Sequence, residues 1–295
     1  MKDVFGTYHP IINFMFFCSV LLFSMFFMHP ILLLISLISG FSYYVYLKGK
    51  KALKFSLRFL LPTMILISLI NPVFNHRGVT IIGYVMGNPM TLESILYGAG
   101  TGLMFGAVIL WFSCYNVIMT SDKFIYLFGR IIPAMSLILS MVLRFVPRFM
   151  TQVKIISDSQ KCLGRDVSDG KLKDRVAHGI KILSVMTTWA LENAIDTADS
   201  MNSRGYGLPR RTAFSNLRFD TRDKTMNVFM LGLFALIIGG AVTGQNTVQY
   251  FPSVRFPEVT AAGIIIYGAY FVLCFMPLIL DLKEQARWRH LQSKI

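Results

Sequence analysis

The residues best placed to do chemistry lie in one short run, Asp199-Ser-Met-Asn-Ser-Arg-Gly-Tyr-Gly207. The amphipathic pattern from about Val176 to Ser203 predicts a helix that ends there. Gly205 follows where a left-handed capping residue is needed, the usual position of glycine at a helix end. Arg204 then sits at the helix C-terminus, where the dipole favours its charge and its planar fork is presented at a tip. Upstream, Glu192, Asp196 and Asp199 follow at spacings of four and three and share one helical face. Two chemistries fit. A tip bearing one arginine, backed by an acidic stripe, suits a groove on another protein. Three carboxylates on one face also suit a magnesium ion, as in an integral-membrane metal-dependent transferase. An ordinary capped helix end with a solvated acidic face is the plain structural alternative.

Other candidates carry less. The transferase reading needs a second acidic cluster to share the metal, and none stands out. No Gly-x4-Gly-Lys-(Ser/Thr) pattern occurs, so this chain does not bind ATP by a phosphate loop of that kind. The histidines, His9, His29, His76, His178 and His290, are scattered. Cys18, Cys114, Cys162 and Cys274 show neither metal spacing nor a disulfide framework. The many Met and Phe residues read as lipid-facing or core packing, although methionine-rich surfaces also suit interfaces that re-pack.

The elements that must hold the tip are set by long apolar blocks. At 54% hydrophobic the chain is only slightly richer than a soluble domain, but its apolar residues run in stretches nearly free of charge. Blocks of about 18 or more such residues cross a bilayer as helices. Six spans are expected: Ile11 to Met28, Ile31 to Leu47 after a tight His29-Pro30 turn, about Phe59 to Ile70, about Ser94 to Thr120, Met226 to Val242, and Val259 to Leu280. The first block runs directly into the second, so no cleavable signal peptide is evident. Val79 to Val85 reads as a re-entrant or interfacial piece. The fourth span carries Gly98, Gly100, Gly102 and Gly106, which permit close helix approach. The fold class is therefore all-α and polytopic, with residues 1–120 forming N-terminal membrane helices, 121–224 a charged cytoplasmic region, and 225–295 two further spans and a basic tail.

The net charge of +14 follows the positive-inside pattern and does not point to nucleic acid. Arg77 and Arg255 are the only Lys or Arg residues in the two outer loops, which puts both termini inside. The run Lys48, Lys50, Lys51, Lys54, Arg58 reads as a topology determinant near anionic headgroups. Within 121–224, Ile131 to Ile156 is largely apolar, with a stripe of Arg144, Arg148 and Gln152 at spacings of four. As a plain span it would sink two arginines into lipid, so an interfacial helix, or one packed beneath the spans, fits better. Two long amphipathic helices result, separated by a polar, turn-rich stretch around Gly164 and Gly170.

The run Met201-Asn-Ser-Arg-Gly-Tyr-Gly, followed by Pro209-Arg-Arg-Thr212, resembles the second coupling motif of the transmembrane T components of energy-coupling factor (ECF) transporters, the CbiQ-like/EcfT family. Their usual Ala-Arg-Gly is matched by Ser203-Arg204-Gly205 with one conservative change. Their Leu-Arg-Phe-(Ile/Val)-Pro stretch is matched by Leu143-Arg144-Phe145-Val146-Pro147. In the first motif Leu163 falls where arginine is expected, Gly164 matches the glycine, and Arg165 comes one place late. The resemblance implies a non-catalytic scaffold subunit of an ATP-driven ABC importer in a prokaryotic cell membrane. It implies as partners two ABC-type ATPases, which carry the ATP and Mg, and a small substrate-binding S component for a vitamin or metal ion. It assigns coupling to Ser203, Arg204, Gly205, Gly164 and Arg165. Glu192, Asp196, Asp199, Arg144 and Arg148 support those helices, and no cofactor is held by the chain itself.

Overall fold

The computed structural model describes residues 3–85, 88–129, 132–168, 170–206, 219–257 and 260–292. Nine helices and one small hairpin occur among them. The helices are α1 (Pro10–Phe26), α2 (Pro30–Lys48), α3 (Lys50–Phe74), α4 (Leu92–Ile118), α5 (Ser121–Gly129), α6 (Pro133–Cys162), α7 (Leu172–Ser203), α8 (Thr221–Val242) and α9 (Ala261–Gln292). Strands β1 (Ile81–Val85) and β2 (Asn88–Thr91) pair antiparallel between α3 and α4. The chain divides into two compact units, Met1–Phe124 with Leu217–Ile295, and Ile125–Asn216. The N- and C-terminal membrane helices thus share one unit.

The all-α polytopic class holds. Helices α2, α3, α4, α8 and α9 are each long and apolar enough to cross a membrane, and α1 is a shorter apolar helix of 17 residues. That length is still close to the minimum of about 17 residues for a span. Some bounds differ from expectation, the last helix running on to Gln292 beyond Leu280. The third span begins at Lys50, because the run Lys-Lys-Ala-Leu-Lys is made of good helix formers and continues the helix below the apolar block. A π-turn at Ser56–Leu60 precedes Pro62, which has no N–H for an ordinary helical bond. Within the apolar piece at Val79–Val85, Ile81–Val85 is a strand and not a helix. Its β-branched residues form β1, and four residues of β2 satisfy its backbone.

Close packing in the membrane unit comes from glycine and from a few buried hydrogen bonds. A Cβ added at Gly98 would meet the Ser68 carbonyl oxygen at 2.5 Å, and one at Gly102 the Met64 carbonyl oxygen at 2.8 Å. The backbones of α3 and α4 therefore meet as the small residues of α4 allow. Around Trp111, Phe16, Phe17, Tyr43 and Tyr270 the core is fully buried. Inside it, the Trp111 indole N–H donates to Ser36 Oγ (2.9 Å), and Ser24 Oγ lies 2.7 Å from Ser36 Oγ and 3.2 Å from the Tyr270 hydroxyl. Four helices, α1, α2, α4 and α9, are tied by that one group.

Each end of this unit is fastened separately. At one end the buried Asp281 accepts from the Val4 and Phe5 amides (2.8 and 2.9 Å). Lys123 Nζ donates to the Gly6 and Ile118 carbonyls (2.6 and 2.8 Å), and the Arg222 guanidinium lies 3.9 Å over the Tyr8 ring. The start of α1, the end of α4, the start of α8 and the end of α9 thus meet on one side. On the other, the Tyr267 hydroxyl lies 3.1 Å from His29 Nε2, and the Tyr250 hydroxyl donates to the Met28 carbonyl (2.8 Å). The described chain ends therefore lie on the same side of this unit.

Candidate functional site

Unit Ile125–Asn216 carries the sequence-expected site, and its two long helices explain the geometry. The less exposed face of α6 runs Leu137, Met141, Phe145, Phe149, Gln152, Ile156, at spacings of three and four. That of α7 runs Ile182, Met186, Trp189, Asn193, Thr197, Met201. These faces meet where Phe149 packs edge-on to Trp189 (centroids 5.5 Å apart) and the Arg148 guanidinium lies 5.6 Å from the same indole. The N-terminal half of α6 lies along the C-terminal half of α7, so the helices run antiparallel. Their C-terminal tips point to opposite ends of the pair, each helix being about 45–50 Å long at about 1.5 Å per residue.

Both tips end in the same turn. At the second, Gly205 has φ +80°; its N–H donates to the Asn202 carbonyl and the Tyr206 N–H to the Met201 carbonyl, both at 3.0 Å. At the first, Gly164 has φ +74°; its N–H donates to Lys161 O and the Arg165 N–H to Gln160 O, again both at 3.0 Å. These are Schellman caps. The end of α8, at Gly244, has one as well, so the cap alone is not a functional mark. It does fix a register. Leu163 occupies the position of Arg204, the last residue before the glycine, and Arg165 occupies that of Tyr206. Arg165 is therefore not the geometric counterpart of Arg204. The loop beyond it is tied by the Lys161–Asp166 ion pair (2.9 Å) and by the Ser168 amide on Asp166 (3.0 Å). The hydrogen bond from Lys161 holds the Asp166 carboxyl well below the usual carboxylate range.

Arg144, Arg148, Asp196 and Arg204 come together. They line one open cleft of about 840 Å³ between α6 and α7, with Asn193, Thr197, Ser200 and Tyr206. Three guanidinium groups face one carboxylate there, so the cleft is basic. Among the described residues the ion pairs within 4.0 Å are Lys161–Asp166 and Arg287–Glu284, so Asp196 does not clamp Arg204. Glu192 and Asp199 are exposed and lie outside the cleft lining. The Ser203 hydroxyl donates to the Asp199 backbone carbonyl (2.9 Å), which leaves the Asp199 carboxylate out of the cap. No group of three His, Cys, Asp or Glu side chains converges to hold a metal among the described residues. Gly207 and Pro209 to Thr212, the end of the second motif, lie outside the described residues.

The sequence alone did not reveal the Trp189 contact, since Trp189 reads there as one more apolar position. The available signal was Arg148 on the facing helix, because arginine is often stacked on indole. Nor did it reveal that Leu163, and not Arg165, stands opposite Arg204 in register; glycine-to-glycine alignment of the two caps carries that information.

A bundle of apolar helices, with a second unit of two long, amphipathic, arginine-bearing helices in the same chain, is a polytopic membrane protein. The chain belongs to the CbiQ family, described as cobalt transport protein, whose profile matches residues 8–214. It is 33% identical over 105 residues to the energy-coupling factor transporter transmembrane protein EcfT of Lactococcus lactis, covering 35% of this chain and 40% of that one. The same protein of Bacillus subtilis is 31% identical over 104 residues, covering 35% and 39%. For that of Acidaminococcus fermentans the identity is 26% over 165 residues, covering 54% and 59%. The matches thus span between about two fifths and three fifths of these relatives' length.

Proposed function

We propose that this chain is the transmembrane scaffold subunit of an ECF-type ABC importer. In this reading two partner ATPases bind the tips of α6 and α7, and a substrate-binding membrane S component rests on the exposed apolar surface of the same helices. The chain carries no catalysis of its own. The observation that carries the proposal is Arg204, fixed at the end of a 32-residue helix by the Gly205 cap beside Arg144 and Arg148. A cluster of guanidinium groups at a helix end is complementary to an acidic groove on a soluble partner.

The energetics of the pair suit a moving part. Ile156 is the one buried side chain in α6 and α7 among the described residues, whereas Ile138, Val142, Met150, Ile180, Leu183 and Leu191 are exposed apolar positions. A crossing held by so little buried surface pivots at low cost. Closure of the ATPases on ATP would separate or approach the tips, turn the helices about Phe149 and Trp189, and shift the apolar surface under the S component. Methionines on both helices suit a contact that re-packs. The cytoplasmic location of both termini belongs to this reading and is supported by the loop charges.

The transferase alternative, with Glu192, Asp196 and Asp199 on a metal, is not favoured, because only Asp196 faces a cleft. Co-expression with the partner ATPases and purification in mild detergent tests the proposal. Arg204→Glu is expected to abolish ATPase association while the chain still inserts in the membrane. Association and uptake that survive both Arg204→Glu and Arg165→Glu would sink it.

A further inference from the structure

A second cavity lies wholly within the membrane unit. It is a groove of about 630 Å³ between α2 and α3, floored by Ala99 and Leu103 of α4. Its walls are Leu37 and Phe41 on α2, and a largely apolar face of α3 from Leu53 to Leu69 that includes Ser56 and Ser68. The volume is in the range of about 300–1,000 Å³ that holds one small ligand. Two features set it apart from ordinary lipid-facing surface.

The first is charge at one end. Lys48 follows Phe41 by seven residues, and so continues the same face of α2 two turns on. Lys50 precedes Leu53 by three residues and continues the same face of α3. Both are exposed, and they flank the Gly49 turn that joins the two helices. Lys54 and Arg58, also exposed, stand one position beyond the groove residues Leu53 and Leu57. The second feature is an orphan hydroxyl. Ser56 lines the groove six residues on from Lys50, nearly two turns, is 7% exposed, and its Oγ has no hydrogen-bond partner among the described residues. A buried, unmatched hydroxyl is costly and normally finds a partner. It lies at the π-turn, a local irregularity often associated with ligand sites.

Along the groove the order is therefore cation, hydroxyl, then apolar wall. Along a phospholipid it is phosphate, glycerol ester, then acyl chain. We infer that this groove binds one molecule of an anionic phospholipid. Lys48 and Lys50 hold the headgroup phosphate, with Lys54 adding charge at the side. Ser56 Oγ donates to an ester carbonyl, and an acyl chain lies against Leu57, Leu60, Leu61, Met64 and Leu69. The bound lipid fills the gap that the π-turn leaves between α2 and α3.

The test uses the full chain, purified and delipidated in detergent, with palmitoyl-oleoyl phosphatidylglycerol as probe and bound lipid counted by native mass spectrometry. One retained molecule per chain is expected, with the phosphatidylcholine of the same chains retained far less. Lys48→Gln with Lys50→Gln should weaken phosphatidylglycerol binding by about tenfold or more, each basic group near a headgroup being worth about 1 kcal/mol. Leu57→Trp, at an exposed groove position, should displace the lipid with the charge untouched. Removing equal or greater charge from the tail, by Lys283→Gln, Arg287→Gln and Arg289→Gln, should leave the retained molecule in place. Equal retention of the two lipids, equal loss in the tail variant, or full retention in Leu57→Trp would each overturn the inference.

Discussion

At the scale of single residues, the two caps separate what glycine does from what arginine does. Gly164 and Gly205 both occupy the left-handed region, where a Cβ strains the backbone. Replacing Gly205 by alanine is expected to cost the last turn of α7 about 1 kcal/mol. Amide exchange should then accelerate at residues 203–206 and stay unchanged at Trp189; uniform exchange along α7 would contradict this. The arginines raise a different question. Because Leu163 and Arg204 share a register, a partner groove that accepts both tips meets a leucine at one and a guanidinium at the other. Under the proposed function, Leu163→Glu should weaken ATPase association more than Arg165→Glu does. The reverse order, measured by co-purification, would show that Arg165 reaches back to serve the first tip.

At the scale of elements, the glycines of α4 make the sharpest case. Gly98 and Gly102 face the α3 backbone, whereas a Cβ at Gly232 on α8 meets nothing within 4 Å. Gly98→Val should therefore destabilise the membrane unit by about 1–3 kcal/mol, the usual cost of overpacking. Gly232→Ala should be neutral or slightly stabilising through helix propensity. Thermal unfolding in detergent distinguishes them, and an equal fall in midpoint for both would refute the close-approach argument. The spacing of those glycines was legible in the sequence, as were the apolar helices and the cap of α7. Span existence is a matter of block length and needs no tertiary context. The start of α3 was not legible, because the lysine run served two readings, loop charge and helix former. The hairpin at Ile81–Thr91 was missed because a short apolar run does not reveal its period. Nor did the sequence disclose that Asp196 alone of the three carboxylates faces the arginines. Face sharing is a helical property, but which edge of the face meets a neighbour depends on the crossing.

For the membrane unit as a whole, the histidines at its two ends couple part of its stability to pH. His29 sits in the turn between α1 and α2 beside the Tyr267 hydroxyl, and burial pushes its imidazole below the ordinary value of 6.5. His9, before α1, is shifted the same way by burial, with Asp223 opposing the shift. The folded state thus holds fewer protons than the unfolded chain once the pH falls below about 6.5, the ordinary histidine value. Above that value both states are neutral at these sites and neither contributes. As the pH falls from about 6.5 towards the lower folded values, the unfolded chain gains protons that the folded one resists, and stability is lost. The histidine contribution to the unfolding midpoint in detergent should therefore fall between pH 7.5 and 5, opposed by Asp281, whose buried carboxyl is pushed up to about 6 and so favours the folded state as the pH falls through that value. His29→Gln keeps a group able to hydrogen-bond Tyr267 and removes the proton uptake, so part of that slope should disappear, and His9→Gln should remove a smaller part because Asp223 offsets burial there. A pH dependence of the midpoint that is the same in the double variant as in the unaltered chain would place the coupling elsewhere and show that these turns tolerate the charged imidazole.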